Sequence, residues 1–362
     1  MESRWPAWLQ INDNLKDLTP YGAPQISVAA RLNTNENPYA LDQELQNAIS
    51  REITKQLSHL NRYPDRDALE LRSQLATFIN QSSGTSFATE NIWAANGSNE
   101  ILQSIALAFK GDALGFEPSY SMHPLISRAV GKNWISVPRN PDFSIDVGNA
   151  KTEILSRKPG IIFVTTPNNP TGGSTPLAVV QELATTAQSI NALLVVDEAY
   201  AEFSSERSAV TIISQHHNVI VSRTMSKAFA FAGARLGYLI AQPIIIDAML
   251  LIRLPYHLSD LTQAAARAAL SQQARLKNDV ENIMKSRSSM KQALESLGLT
   301  VIPSTANFLL FTGFKMSAPE LWAELVQHGV LIRDVGIPAH LRVTIGTETE
   351  NEAFISALRS II

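Results

Sequence analysis

The chain of 362 residues contains no cysteine. Disulfide frameworks, thiolate metal sites, iron–sulfur clusters and thiol nucleophiles are therefore excluded. Charge of one sign is scarce too: 30 Lys and Arg stand against 33 Asp and Glu, a formal net charge of −3. A nucleic-acid partner is not expected without a basic excess or block. The seven histidines (59, 123, 216, 217, 257, 328 and 340) show no HExxH or similar ligand spacing, so no metal site is expected. Long apolar runs are also missing. The most apolar stretch, Tyr238 to Leu254, is broken by Gln242, Pro243, Asp247 and Arg253, whereas a membrane span needs about 20 predominantly apolar residues. The first ten residues carry Glu2, Arg4 and two tryptophans but no apolar signal core. A cytoplasmic protein with no membrane partner is the expectation. The hydrophobic fraction of 45%, with 17 Gly and 18 Pro, is ordinary globular composition. The length allows about two domains.

Along the chain, an irregular polar start over 1–40 gives way to helical periodicity. Leu45, Ile49, Ile53 and Leu57 fall four apart and form one stripe. A second helix is predicted from Asp67 to Asn80, with Leu71, Leu75 and Phe78 inward and Asp65 and Asp67 suiting its start. Short apolar runs follow at Ile92–Ala95, Ala113–Phe116, Trp134–Val137, Ile161–Thr165, Leu193–Val196, Val219–Ser222 and Gly237–Ala241. Helical stretches at 99–110, 120–130, 175–190 and 243–254 lie among them. That alternation predicts an α/β fold with a mostly parallel central sheet covered by helices on both faces. Beyond about residue 256 the pattern changes. A long helical stretch, Leu258 to Leu297, precedes a smaller α+β unit: strand 307–311, helix 318–328, strands 330–333 and 341–345, and helix 349–360.

In parallel sheets, polar residues just past the strand ends line the ligand crevice. Five places qualify. Asn96-Gly97-Ser98-Asn99-Glu100 opens a helix, as an anion site or a simple N-cap would. Pro167-Asn168-Asn169-Pro170-Thr171-Gly172-Gly173 has turn chemistry, and its Asn-Pro bond permits cis. Asp197-Glu198-Ala199-Tyr200 ends a strand with a carboxylate and a phenol. In Ser222-Arg223-Thr224-Met225-Ser226-Lys227, the lysine is followed by a largely apolar run up to Arg235. Burial would lower the pKa of such a lysine and make its amine nucleophilic, although snorkelling or an ion pair is the plainer reading. Arg333 and Arg342 stand at strand-like positions and could be surface partners or carboxylate forks. Taken together, the set offers a phosphate cradle (Ser98, Asn99, Thr224, Ser226, Arg235), a carboxylate (Asp197), two phenols (Tyr120, Tyr200) and an amine (Lys227). Those groups match pyridoxal phosphate, which carries a phosphate, a basic ring nitrogen, a phenolate oxygen and an aldehyde.

The chain resembles the fold-type-I pyridoxal-phosphate aminotransferases and, within them, the histidinol-phosphate aminotransferase family. The stretches that carry the likeness run from about residue 18 to 351. They include Leu32-Asn33-Thr34-Asn35-Glu36-Asn37-Pro38, Arg62-Tyr63-Pro64, Pro118-Ser119-Tyr120, the four regions named above, Pro255-Tyr256-His257-Leu258-Ser259 and Leu341-Arg342-Val343-Thr344. The resemblance implies that Lys227 holds the cofactor covalently and moves the proton. It implies that Asp197 pairs with the ring nitrogen, that Tyr200 and Asn169 bond the ring oxygen, and that Tyr120 stacks on the ring. Ser98, Asn99, Thr224, Ser226 and Arg235 would anchor the phosphate. Tyr63 would reach the phosphate of a neighbouring subunit, which implies a homodimer with shared sites. Tyr21, Asn35, Arg333 and Arg342 would bind substrate, with Arg342 on the α-carboxylate of glutamate and Arg333 on a phosphate or a side-chain carboxylate.

The domains implied are an arm (1–40) contributing to the small domain and active site, a large cofactor-binding domain (41–255) and a small C-terminal domain (256–362). The reaction implied is L-histidinol phosphate plus 2-oxoglutarate to imidazole-acetol phosphate plus L-glutamate. The alternatives are an aromatic (phenylalanine) aminotransferase and, further off, a phosphate-amino-acid decarboxylase of the same fold. Two departures bear on substrate choice. Thr19-Pro20-Tyr21 is followed by no arginine before Arg31, and Asn99 stands where an aspartate is common.

Overall fold

The computed structural model describes Trp5, Pro6 and residues 8–362; Met1 to Arg4 and Ala7, part of the N-terminal segment read above, lie outside the described residues. The first strand is only two residues long, β1 (Ala30–Arg31). Helix α1 (Gln43–Leu57) starts where the Asp42 carboxylate accepts from Leu45 N–H at 3.0 Å. Its stripe is half-buried at Leu45, Ile49 and Ile53 and exposed at Leu57. Helix α2 (Leu69–Ser83) begins two residues later than predicted, because the Asp65 carboxylate first takes the N–H groups of Asp67 (3.0 Å) and Leu69 (2.8 Å). Leu71, Leu75 and Phe78 are buried as the periodicity requires.

The central unit alternates strand and helix: β2 (Ile92–Ala95), α3 (Ser98–Ala108), β3 (Ala113–Glu117), α4 (Met122–Ala129), β4 (Trp134–Pro138), α5 (Val147–Arg157), β5 (Ile161–Thr165), α6 (Leu177–Ser189), β6 (Leu193–Asp197), β7 (Val219–Thr224), β8 (Gly237–Ile240) and α7 (Pro243–Ile252). The seven strands form one sheet in the order β2-β8-β7-β6-β5-β3-β4. Only β8 runs against its neighbours. Successive strand residues point to opposite faces. Ile162, Val164, Leu194 and Val196 join one apolar core, and Ile161, Phe163, Val195 and Ile220 the other. Burial on both faces is why these strands read as continuous apolar runs. Helix α5 escaped the sequence reading. It presents only Ala150 and Ile154 to the core, too few to mark a period.

The predicted long helix is two, α8 (Asp260–Leu270) and α9 (Gln273–Ser296). The chain breaks at Ser271, whose hydroxyl turns back to the Ala268 carbonyl at 2.7 Å. Then come β9 (Thr300–Val301), β10 (Phe308–Thr312), α10 (Ala318–Gln327), β11 (Val330–Leu331), β12 (Arg333–Asp334), β13 (Leu341–Thr344) and α11 (Glu348–Ile361). The single strand expected at 330–333 is divided between two sheets. Val330 and Leu331 pair in parallel with Ala30 and Arg31, and Arg333 and Asp334 pair with β13 in the antiparallel sheet β12-β13-β10-β9. The N-terminal segment is thereby stitched to the C-terminal part of the chain.

The turn before α3 is packed directly on β8. A Cβ placed on Gly237 would lie 2.4 Å from the backbone nitrogen of Ser98. Gly237→Ala is therefore expected to lower the unfolding free energy by about 1–3 kcal/mol. The check is a lower urea midpoint at unchanged slope; a wild-type midpoint would show that strand and turn part freely.

Candidate active site

The carboxyl ends of β2, β7, β6, β5 and β3 lie along one edge of the sheet, and a cavity of about 280 Å³ opens there. At one end is the start of α3. Gly97 precedes it with φ +84°, a conformation that favours glycine, and no side chain caps the first turn. Ser98 is the first helical residue rather than the cap, so the simple N-cap reading fails. The free N–H groups and the helix dipole make an anion site. Arg235 faces that turn closely: a Cβ on Gly97 would meet its guanidinium at 2.6 Å. The Thr224 hydroxyl donates to Ser226 Oγ at 2.9 Å, and Arg235 donates to Ser226 Oγ at 3.5 Å. Arg235 has no carboxylate in ion-pair distance among the described residues.

At the end of β6, Asp197 is 2% exposed. Its Oδ2 lies 3.1 Å from Nε2 of His123 on α4, which is equally buried and stacked on Phe163 at 4.7 Å. Its Oδ1 has no partner. A buried carboxylate oxygen without a donor is costly, so this oxygen is placed for a cationic or N–H group inside the cavity. Sequence reasoning set His123 aside with the other histidines. The available signal was its place one helical turn after Tyr120, beside a strand-end carboxylate.

The Tyr120 hydroxyl donates to Asn99 Oδ1 at 3.1 Å, and burial pushes its pKa up. The Tyr200 hydroxyl accepts from Asn35 Nδ2 at 2.9 Å. Burial raises its pKa to about 12, with the Arg342 charge opposing. Lys227 follows β7 in a turn whose apolar residues Ala228, Phe229 and Phe231 are all buried. Its Nζ donates to the Thr34 carbonyl at 3.0 Å and has no carboxylate partner among the described residues. Burial, reinforced by Arg342, lowers its pKa from 10.5 to about 8. The cis bond that Asn-Pro permits is present at Asn169–Pro170, as it is at Glu117–Pro118 and Thr166–Pro167.

Arg342, on β13, is buried and held by Asn169 Oδ1 at 2.5 Å and the Asn33 carbonyl at 2.7 Å, while its Nε is left without a partner. Arg333 is its direct cross-strand partner. Like charges so placed repel, and neither has a carboxylate in ion-pair distance among the described residues. The pair leaves two positive charges without a counter-charge among the described residues.

Thirteen of the fifteen residues singled out from sequence line this one cavity: Ser98, Asn99, Tyr120, Asn169, Asp197, Tyr200, Thr224, Ser226, Lys227, Arg235, Tyr21, Asn35 and Arg342. Arg333 stands at the rim, 5.8 Å from the Tyr21 ring. Tyr63 is outside, 78% exposed and stacked on Tyr256 at 4.3 Å. The cavity also holds Asn33, Thr34 and Glu36, which sequence reasoning quoted within a motif but gave no role.

A weakly basic amine and a half-satisfied carboxylate, with an anion cradle between strand ends, define the site of a fold-type-I pyridoxal-phosphate-dependent transferase. The solved histidinol-phosphate aminotransferase of Sinorhizobium meliloti, in complex with pyridoxal-5'-phosphate, shares the fold at a TM-score of 0.82 and 24% identity, covering 98% of each chain. The sequence profile of aminotransferase class I and II matches residues 29–358. The chain is 49% identical over 358 residues to the histidinol-phosphate aminotransferase of Mycobacterium sp. (strain JLS), covering 98% of this chain and 94% of that one. It is 50% identical over 355 residues to that of Nocardia farcinica (strain IFM 10152), covering 97% and 91%. The chain belongs to the class I and II aminotransferase family.

The neutral amine is the reactive form, so the reactivity of Lys227 increases with pH. In cofactor-free protein, acylation of Lys227 read by peptide mapping is expected to rise with a midpoint near pH 8. A midpoint at 10.5, the ordinary lysine value, would mean the amine is solvated.

Proposed function

We propose that this aminotransferase converts L-histidinol phosphate and 2-oxoglutarate to imidazole-acetol phosphate and L-glutamate, with pyridoxal phosphate as cofactor. The observation that carries the reading is the bare Asp197 oxygen in the same cavity as the Lys227 amine and the carboxylate-free Arg342. The residues fit the cofactor: the α3 N-terminus, Thr224, Ser226 and Arg235 suit its phosphate, Asp197 its ring nitrogen, Tyr200 and Asn169 its ring oxygen, and Tyr120 its face. When bound, the cofactor supplies an electron sink for the pair left on the substrate α-carbon.

The chain's own groups do the rest. Asp197 keeps a proton on the ring nitrogen, since a nearby carboxylate raises the pKa of such a base. His123 holds the carboxylate in place and supplies its second hydrogen bond. Lys227, as a neutral amine, would carry the proton from the substrate α-carbon to the cofactor in one half-reaction and in the opposite direction, to the α-carbon of the other substrate, in the next. Arg342 takes the carboxylate of glutamate, and Arg333 across the strand faces a phosphate or a second carboxylate. Tyr21 lines the cavity from the arm.

The homodimer is part of this proposal. Tyr63 is out of reach of its own cavity, and Leu107, Leu251 and Leu254 are exposed apolar side chains that a second copy would cover. Tyr63 would then reach the neighbour's phosphate. The arm, large-domain and small-domain boundaries at 1–40, 41–255 and 256–362 belong to the same reading.

A second reading, an aromatic aminotransferase, is favoured by one observation. Tyr21 enters the cavity with no cation beside it on the arm before Arg31, and Arg31 is exposed. Half-reactions with histidinol phosphate, phenylalanine and glutamate, followed by the absorbance of the bound cofactor, separate the two. Lys227→Ala is expected to abolish transamination while leaving cofactor binding releasable; near wild-type turnover would remove Lys227 from the chemistry. Arg342→Ala is expected to raise KM for 2-oxoglutarate, with a loss of about 2–5 kcal/mol for a buried charged contact. An unchanged KM would place the dicarboxylate elsewhere.

A further inference from the structure

One charged side chain in the cavity has no task in the reaction as described. Glu36 lines the wall together with Thr34, whose carbonyl holds the Lys227 amine. Its Oε2 accepts from the Thr34 hydroxyl at 2.9 Å and lies 3.9 Å from Arg31. That ion pair is loose and its two side chains are 45% and 64% exposed, so it adds little. The other carboxylate oxygen takes no hydrogen bond from a described residue.

The backbone around Glu36 is firmly placed. Asn35 N–H donates to Thr344 Oγ1 at 3.0 Å, and Asn37 Nδ2 donates to the Ala228 carbonyl at 3.0 Å. Asn307 Nδ2 donates to the Asn35 carbonyl at 3.1 Å. Glu36 therefore sits between two pinned neighbours, and its carboxylate, held by the Thr34 hydroxyl, lines the cavity wall.

The charges that line the cavity are the acids Glu36 and Asp197 and the cations Lys227, Arg235 and Arg342. Asp197 is committed to the cofactor ring, and the arginines answer phosphate and carboxylate groups. The proposed substrate brings one further polar group, an imidazole, whose N–H needs an acceptor and whose ring becomes cationic near neutral pH. Buried polar groups of a ligand left unpaired forfeit affinity. Glutamate carries no such donor.

We propose that Glu36 is a specificity-determining residue: its free carboxylate oxygen accepts the imidazole N–H of the substrate. The inference rests on the histidinol-phosphate reading above. The same negative charge disfavours a carboxylate at that spot, so it separates the imidazole of one substrate from the anionic side chain of the other.

The test is a pair of half-reactions, histidinol phosphate and glutamate, on the holoenzyme and on its Glu36→Gln and Glu36→Asp variants. Glu36→Gln is expected to raise the half-saturating concentration of histidinol phosphate by about tenfold to a hundredfold, the worth of a charge-assisted hydrogen bond. Its limiting rate should change far less. The ratio of half-saturation for histidinol phosphate over glutamate should rise with it, and Glu36→Asp, which keeps the charge, should recover part of the loss. If the wild type uses histidinol phosphate and the variant shifts both donors equally, or neither, Glu36 is not the acceptor. If the wild-type holoenzyme does not respond to histidinol phosphate at all, the substrate reading itself falls, and this inference with it.

Discussion

The site depends on a carboxylate that the fold leaves half satisfied. Asp197 is buried at the end of β6, with His123 on one oxygen and nothing on the other. Water cannot complete the shell of a group this deeply buried at no cost, so the bare oxygen is a standing demand for a donor. Every neighbouring feature is consistent with a ring nitrogen meeting that demand. The anion cradle at α3 stands at one end of the same cavity, and the lysine amine opens into it as well. The Tyr120 ring, edge-on to His123 at 5.4 Å, bridges the carboxylate side and Asn99 at the cradle.

A second unmet demand lies on the small sheet. Arg333 and Arg342 are register partners, so their charges face each other with no acid between them. Asn169 and the Asn33 carbonyl fix the direction of Arg342 without neutralising it. Those two contacts come from distant parts of the chain, the turn after β5 and the N-terminal segment. The charge proposed for the substrate anion is thus aimed by the loop that carries Asn169, the proposed partner of the cofactor oxygen. On the proposed roles, substrate and cofactor geometry would be coupled through one asparagine.

Much of this was legible in the sequence because the relevant patterns are local. Strands buried on both faces read as apolar runs, which made the inner strands recognisable; the edge strand β4, mostly half-buried or exposed, showed only a short apolar run. Glycine and hydroxyl residues at strand ends marked the cradle. What escaped depended on distance in sequence or on very short elements. β1 and β9 are two residues each, too short for any period, and β1 exists only because residues 330 and 331 lie beside it. The split of 330–333 between two sheets is a tertiary effect with no local signal. His123 looks like any histidine on an amphipathic helix until β6 places a carboxylate above it. Tyr63 was singled out on resemblance and Arg333 as one of a pair of strand cations, and the single chain leaves both outside the cavity lining.

The period-two alternation of strands also explains why the residues beside the chemistry are charged. Asp197 points to the face that carries His123 and Phe163, so the next residue, Glu198, turns the other way. Arg223 likewise turns away beside Thr224, which faces the cradle. On that far side Arg223 donates to Glu198 at 2.7 and 3.0 Å, to Glu202 at 3.2 Å and to Ser208 at 2.9 Å. Burial opposes the Arg223 charge, but Glu198 and Glu202 outweigh it and push its pKa up. Burial also raises the pKa of Glu202, which has an oxygen without a partner. Removing one member of such a network would leave buried charge uncompensated, which is far more costly than any gain from its formation. The network is therefore a clamp more than a source of stability. It ties the ends of β6 and β7 together one residue away from Asp197 and Thr224, so those two side chains keep a fixed separation.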